Sequence, residues 1–324
     1  MSNIKEIKAL IGPEMKEFEG FFKKAVKTKV PLLDIVMNYI IRRKGKQMRP
    51  MFVFLTAKLI GEVNNSTYTA ATLIELMHTA TLVHDDVVDD ADKRRGFFSI
   101  NALWKSKIAV LTGDFLLSKG LLLAIENKEF ELLEIVSEAV KEIAEGELLQ
   151  IEKSRKLDIT EETYFEIIYK KTATLIASCT ASGAKSAKAD DGKMQKLKEF
   201  GKYAGIAFQI KDDLFDYQKT NLTGKPTGND IQEKKMTLPL IYALNNSEKS
   251  EKRRILKIIQ RHNSNKEKVG EVIDFVKLKG GLKYAEQKML EYRDKAIEIL
   301  VDFPESPAKK ALTDLVEYIT TRDK

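Results

Sequence analysis

Apolar residues recur at three- and four-residue intervals along almost the whole chain, the spacing that lines one face of an α-helix. This period predicts helices near 3–28, 32–43, 49–61, 67–92, 98–126 (Gly113 being the candidate break), 129–153, 161–186, 190–218, 236–246, 248–263, 266–277, 280–301 and 305–321. Turn chemistry separates several of them: GEVNNST at 61–67, SRKLDIT at 154–160 and KADDGK at 188–193. The longest interruption, TNLTGKPTGNDIQEKKMTLP at 220–239, reads as a mobile lid. The run TYTAATLIELMHTATLV, 67–83, has one charge, Glu75, in seventeen positions. A helix that apolar is buried nearly all round, so the others must sheathe it. No composition shift or flexible linker divides the chain, and the expectation is one all-α domain over 1–324, a bundle of roughly 12–14 helices.

Composition sharpens this picture. Seven prolines and 17 glycines in 324 residues are sparse punctuation, and abundant Leu, Ala, Lys and Glu favour helix. Hydrophobic content of 43% with 32% charged residues excludes a disordered or membrane-embedded chain. No run of 18 uncharged apolar residues occurs, so no integral membrane segment is expected. The start MSNIKEIKALIGPEMKE is charged too early for a secretory signal. Cys179 is the single cysteine, which rules out an internal disulfide and fits a reducing cytoplasm. The excess of 55 basic over 48 acidic residues is spread out and matches no nucleic-acid motif, so no nucleic-acid partner is expected.

The chemistry concentrates in LVHDDVVDDADKRRG, residues 82–96. Asp85, Asp86 and Asp89 have the spacing D-D-x-x-D, which at about 100° per residue falls on one arc of a helix. The spacing recurs at Asp212, Asp213 and Asp216 in IKDDLFDY, again at the end of an apolar run. One triad reads equally well as a solvated helix end. Two of them, facing one another, need cations to offset their repulsion. Carboxylates without a cysteine or histidine cage suit hard ions, Mg²⁺ first, and Mg²⁺ typically bridges carboxylates to phosphates. Basic groups lie close by in sequence: Arg94 and Arg95; Lys46 and Arg49 in GKQMRP just before a helix; Lys170, Lys171 and Thr172; Lys225, Lys234 and Lys235. Singly each reads as a solvated cation. Together they suggest two phosphate sites, one bridged by metal and one held by Arg and Lys alone.

GKQMRP, HDDVVDDADKRRG, KKTATLI, QIKDDLFDY and GKPTGNDIQEKKMTLP, in this order and spacing, resemble the trans-prenyl diphosphate synthases (polyprenyl synthetases) over nearly the whole chain. The resemblance implies the isoprenoid synthase fold, helices around a central cavity, and a homodimer. It implies that Asp85, Asp86, Asp89, Asp212, Asp213 and Asp216 hold three Mg²⁺ on an allylic diphosphate, with Arg94, Lys171, Lys225 and Lys235 as further contacts. Gly45, Lys46, Arg49, His78 and Arg95 match an isopentenyl diphosphate site, and Thr172 and Gln209 the residues facing the reacting carbon. Arg322 and Lys324 match the basic tail that closes over the site in some members. One departure is Lys234, where many members have glycine.

The implied reaction condenses isopentenyl diphosphate with an allylic diphosphate after metal-assisted ionisation, and needs no protein base. Growth would follow the helix that carries Asp85. Members that stop at a short product place Phe or Tyr four or five residues before that aspartate. Here those positions are Thr81 and Ala80, with Met77 deeper, so the expected product is longer than C15, in the C30–C45 range. Two alternatives stay open: a C15/C20 synthase, and a non-catalytic subunit of a heteromeric synthase.

Overall fold

The computed structural model describes residues 4–43, 45–94, 96–218 and 228–322, and apart from one short hairpin the described elements are helical. Helices α1 (Ile4–Leu10), α2 (Gly12–Ala25), α3 (Pro31–Arg42) and α4 (Met48–Ile60) lead to the central α5 (Asn65–Val88). Asn64 caps α5, its side chain accepting from the N–H groups of Ser66 and Thr67 at 2.8 and 3.3 Å. From Thr67 to Ile74 every residue of α5 is buried, as its uncharged sequence requires. Around it stand α6 (Ile100–Glu126), α7 (Phe130–Lys156), α9 (Thr174–Ser186) and α10 (Asp191–Phe215).

Two local features change how the site residues are aimed. Helix α8 (Glu161–Ile168) does not run straight into α9 as the period predicts. A π-helical turn, Tyr169–Ala173, inserts an extra residue between them and rotates Lys171 and Thr172 relative to a regular helix. The break in α6 falls at Lys105 (φ 69°, ψ 162°), not at Gly113. Gly113 instead marks a close approach, since a Cβ there would lie 2.1 Å from the His84 imidazole.

Strands β1 (Lys93–Arg94) and β2 (Phe97–Phe98) form the hairpin, pairing Lys93 with Phe98 and Arg94 with Phe97. It turns the chain straight after the first aspartate motif. The Ser99 hydroxyl then caps α6, accepting from Ala102 N–H at 2.9 Å while donating to the Ala91 carbonyl at 2.6 Å. The chain continues through α11 (Asn229–Gln232), α12 (Leu238–Asn245), α13 (Lys249–Arg261), α14 (Lys266–Leu278), α15 (Gly281–Val301) and α16 (Pro307–Thr321).

The core has three parts: a main cluster shared by α4, α5, α9, α10 and α16, a C-terminal one where α8 and α10 meet α12 to α15, and a third joining α3, α5 and α6. Burying each large apolar side chain contributes about 1.5–3 kcal/mol. Helix α6 is long and apolar enough to cross a membrane by length and composition alone. Ala109 and Leu116 nevertheless pack with Leu76 and Ala80 of α5 in the third cluster, making α6 a core helix. Its other side leaves Leu103, Val110, Leu111, Leu121, Leu122 and Ile125 exposed.

Candidate active site

The two aspartate motifs end α5 and α10, and the polar groups that follow each helix are held differently. Asp85 and Asp86 lie in the last turn of α5, and Asp89 is its C-cap. Asp86 is only 3% exposed and faces inward, whereas Asp89 is open to solvent. Identical spacing therefore does not mean identical environment. In the second motif the three carboxylates also divide. Asp212 is part-exposed and ion-paired with Arg322. Asp213 is buried, its oxygens taking 2.7 and 2.8 Å hydrogen bonds from the Tyr164 hydroxyl and the Gln209 amide. Asp216 accepts from the N–H groups of Asn229 and Asp230 at 2.9 and 3.1 Å. It thereby caps α11 and anchors the return of the 220–239 segment.

A cavity of about 150 Å³ lies against this second motif, lined by Lys171, Thr172, Gln209, Asp213, Asp230 and Lys235, with Gln150 and Tyr164. Lys171 is held there by Glu147 at 2.6 Å and Gln150 at 2.8 Å, both on α7. Its neighbour Lys170 pairs with Glu142 and Glu145, earlier on the same helix, both at 2.8 Å. The Thr172 hydroxyl donates to Gln209 Oε1 at 2.6 Å.

The electrostatics tie the halves together. Burial, then the charge of Asp230, pushes the Asp213 carboxyl above the ordinary carboxylate range, while its bonds from Gln209 and Tyr164 pull it down. Burial works against the charge of Lys235, but Glu233, Asp230 and Asp89 outweigh it and hold its pKa above the usual lysine value. Lys235 thus senses acids from the first motif and from α11 at once. Lys234 before it adopts φ 58°, a left-handed conformation that costs a side chain about 1–2 kcal/mol. Glycine, the residue the resemblance leads one to expect there, would adopt it without that cost.

A second cavity, about 140 Å³, runs along α5 and is largely apolar. Gly45, His78 and Asp86 line it, together with Thr79, Leu82 and Val83. Lys46 reaches the Tyr318 hydroxyl at 3.2 Å, and Arg49 stands in the first turn of α4. The C-terminal helix α16 therefore touches the GKQMRP segment through Tyr318 and the second motif through Arg322. The guanidinium of Arg322 lies 4.6 Å from the Phe208 ring centroid and 5.5 Å from that of Phe215. Arg95, Lys225 and Lys324 lie outside the described residues, as does the side chain of Arg94.

The residues expected to set product length sit differently from a simple wall. Ala80 is fully buried with Leu76, Val83, Val36 and Met37. Met77 is 3% exposed and packs at Gly120 of α6, where a Cβ would be 3.1 Å from its Cε. Thr81 is half-buried, its hydroxyl donating to the His78 carbonyl at 2.9 Å. The open space beside α5 is lined instead by the arc holding His78, Thr79, Leu82 and Val83.

Sequence reasoning missed Tyr164, Asp230, Gln150 and Glu147. Tyr164 precedes Lys171 by seven residues, two helical turns, and a polar tip on that apolar face was the available signal. The donor set fits a hard divalent cation: the exposed acids offer oxygen only, and Asp212 already holds a cationic partner in Arg322. Among the described residues no three acids or histidines converge into a ready-made cage. An ion bridged by a phosphate ligand suits such an incomplete shell better than one held by protein alone.

The model of the polyprenyl synthetase family matches residues 30–276. The chain is 35% identical to octaprenyl diphosphate synthase of Escherichia coli, covering 99% of this chain and 100% of that one. A polyprenyl synthase of Caulobacter crescentus, solved with calcium and isoprenyl diphosphate, superposes with a TM-score of 0.92 at 32% identity, covering 99% and 98%. A geranylgeranyl pyrophosphate synthase of Bacteroides thetaiotaomicron is 37% identical with a TM-score of 0.85, covering 99% and 100%. With a family match over most of its length, full-length relatives above 30% identity and both aspartate motifs at helix ends, the chain belongs to the polyprenyl synthetase family.

Proposed function

We propose that this prenyltransferase condenses isopentenyl diphosphate with an allylic diphosphate to make an all-trans polyprenyl diphosphate of C30–C45. The observation that supports the site assignment is the cavity beside the second motif, lined by Lys171, Thr172, Gln209, Asp213, Asp230 and Lys235. Asp85, Asp89 and Asp212 are the acids best placed for metal, three Mg²⁺ in the full assignment. When bound, the metal neutralises charge on the departing diphosphate. Lys171 and Lys235 then stabilise the same leaving group as point charges. Thr172 and Gln209 present oxygen atoms toward the carbon that becomes cationic. Lys46, Arg49 and His78 orient isopentenyl diphosphate, and the proton lost after bond formation passes to the departing diphosphate.

Chain length rests on the small, half-buried Thr81 one turn before Asp85, and the relatives span both octaprenyl and geranylgeranyl products, so a C20 synthase is the second reading. The exposed apolar side of α6, with Phe130, Leu148 and Ile151 of α7, supports a homodimer. A cytoplasmic enzyme fits the lone, buried cysteine.

The test is elongation of farnesyl diphosphate with labelled isopentenyl diphosphate, with and without Mg²⁺, with products resolved by length. Metal-dependent C30–C45 products are expected, and a folded Asp85→Ala variant should lose turnover by orders of magnitude. Products ending at C20 would keep the reaction and remove the length assignment. No elongation from any primer would favour a non-catalytic subunit.

A further inference from the structure

The hydrogen bonds around Asp213 have a sense. Both oxygens of this carboxyl group accept: Oδ2 from the Tyr164 hydroxyl at 2.7 Å and Oδ1 from Gln209 Nε2 at 2.8 Å. With the Gln209 nitrogen committed to Asp213, the amide oxygen is the end left for Thr172. The Thr172 hydroxyl donates to that oxygen at 2.6 Å. Its single proton is therefore turned away, and Thr172 shows lone pairs to the cavity that it lines with Lys171, Asp213 and Lys235. Tyr164 and Asp213 are both buried, so the bond between them is shielded from bulk water. Residues from α8, the π-helical turn and α10 meet in this one chain of bonds.

We propose that Tyr164 is a positioning residue for prenyl transfer, holding Asp213 as the acceptor that keeps the oxygens of Gln209 and Thr172 aimed at the developing cation. The inference rests on the reading of this cavity as the prenyl-transfer centre. Tyr164 touches no reacting atom. Its effect is on dipole direction: without it Asp213 gains freedom to turn, Gln209 can flip, and the Thr172 hydroxyl can present hydrogen where oxygen is needed. A site that stabilises developing positive charge loses most from such a reversal in the ionisation step, and little in substrate binding.

The experiment compares the wild-type chain with Tyr164→Phe, Thr172→Val and the double variant, using geranyl and 2-fluorogeranyl diphosphates. Fluorine disfavours the allylic cation without changing the diphosphate. In Tyr164→Phe, kcat is expected to fall about 10- to 100-fold, the loss of one buried hydrogen bond, with both KM values within about threefold. The geranyl-to-fluorogeranyl rate ratio should rise, because ionisation becomes more strongly rate-limiting. The double variant should lose less than the two single losses multiplied together, since both changes act in part through the Thr172 oxygen. A merely structural role would lower the active fraction and slow both substrates equally. The proposal is overturned by wild-type kcat in Tyr164→Phe, by an unchanged ratio, or by additive losses. If Tyr164→Phe fails to fold, the isosteric Asp213→Asn carries the same test, with the Mg²⁺ half-saturation point separating lost polarity from a lost metal ligand. A wild-type chain that elongates no primer would instead remove the reading of the site itself, and the inference with it.

Discussion

Gly205 of α10 packs against the π-helical turn so tightly that a single methyl group should be felt both in stability and in turnover. A Cβ built there would lie 2.5 Å from Ala173 Cα and 2.8 Å from Ala173 Cβ. Carbon atoms rest about 3.5–4.0 Å apart, so Gly205→Ala requires the two segments to separate by about 1 Å. Gly270 of α14 is the internal control, because a Cβ there meets nothing within 4 Å. Both substitutions gain helix propensity, about 1 kcal/mol each, so the difference between them isolates the steric cost. Overpacking of this kind costs about 1–3 kcal/mol. Gly205→Ala should therefore melt a few degrees below Gly270→Ala in a calorimetric scan, at roughly 2–4 °C per kcal/mol. The functional effect follows from what the two segments carry. Thr172 precedes Ala173, Gln209 lies one turn beyond Gly205, and their 2.6 Å bond joins the segments. Stretching it by about 1 Å breaks it, and a displacement of that size can cost about 10²-fold in rate. Equal melting temperatures for the two variants, with full kcat in Gly205→Ala, would refute the packing argument and its link to catalysis together.

Thr81→Phe should shorten the product, because Thr81 is half-buried one turn before Asp85. Ala80→Phe should chiefly lower the melting temperature, since Ala80 is enclosed and overpacking it costs about 1–3 kcal/mol. If Ala80→Phe alone shortens the product and is fully stable, the cavity runs where the packed cluster now stands. Arg322→Gln should lower the Mg²⁺ concentration for half-maximal activity several-fold, because the Arg322 guanidinium and the metal compete for Asp212; an unchanged metal titration would count against that competition. Cys179 is fully buried and burial pushes its thiol up to about 12, so it should resist a disulfide reagent at pH 8 until denaturant is added. Rapid labelling of the native enzyme would contradict its burial.

The sequence by itself determined the elements. A 3.6-residue period survives any tertiary arrangement, so α4, α9, α10 and α12 to α16 all lie where it predicts them. The nearly uncharged run before Asp85 declared the central helix, and the repeated D-D-x-x-D marked two acidic helix ends. The tertiary structure alone decided what each carboxylate does. Asp213 is closed off by Tyr164 and Gln209, Asp216 caps α11, and Asp212 meets the C-terminal Arg322. Those partners are between 13 and 110 residues away except Gln209, and periodicity holds no information about contacts across such distances. The π-helical turn escaped for a related reason. One extra residue in a helix scarcely changes the apolar pattern, yet it shifts the register with which Lys171 and Thr172 line the cavity, while Lys170 pairs with Glu142 and Glu145.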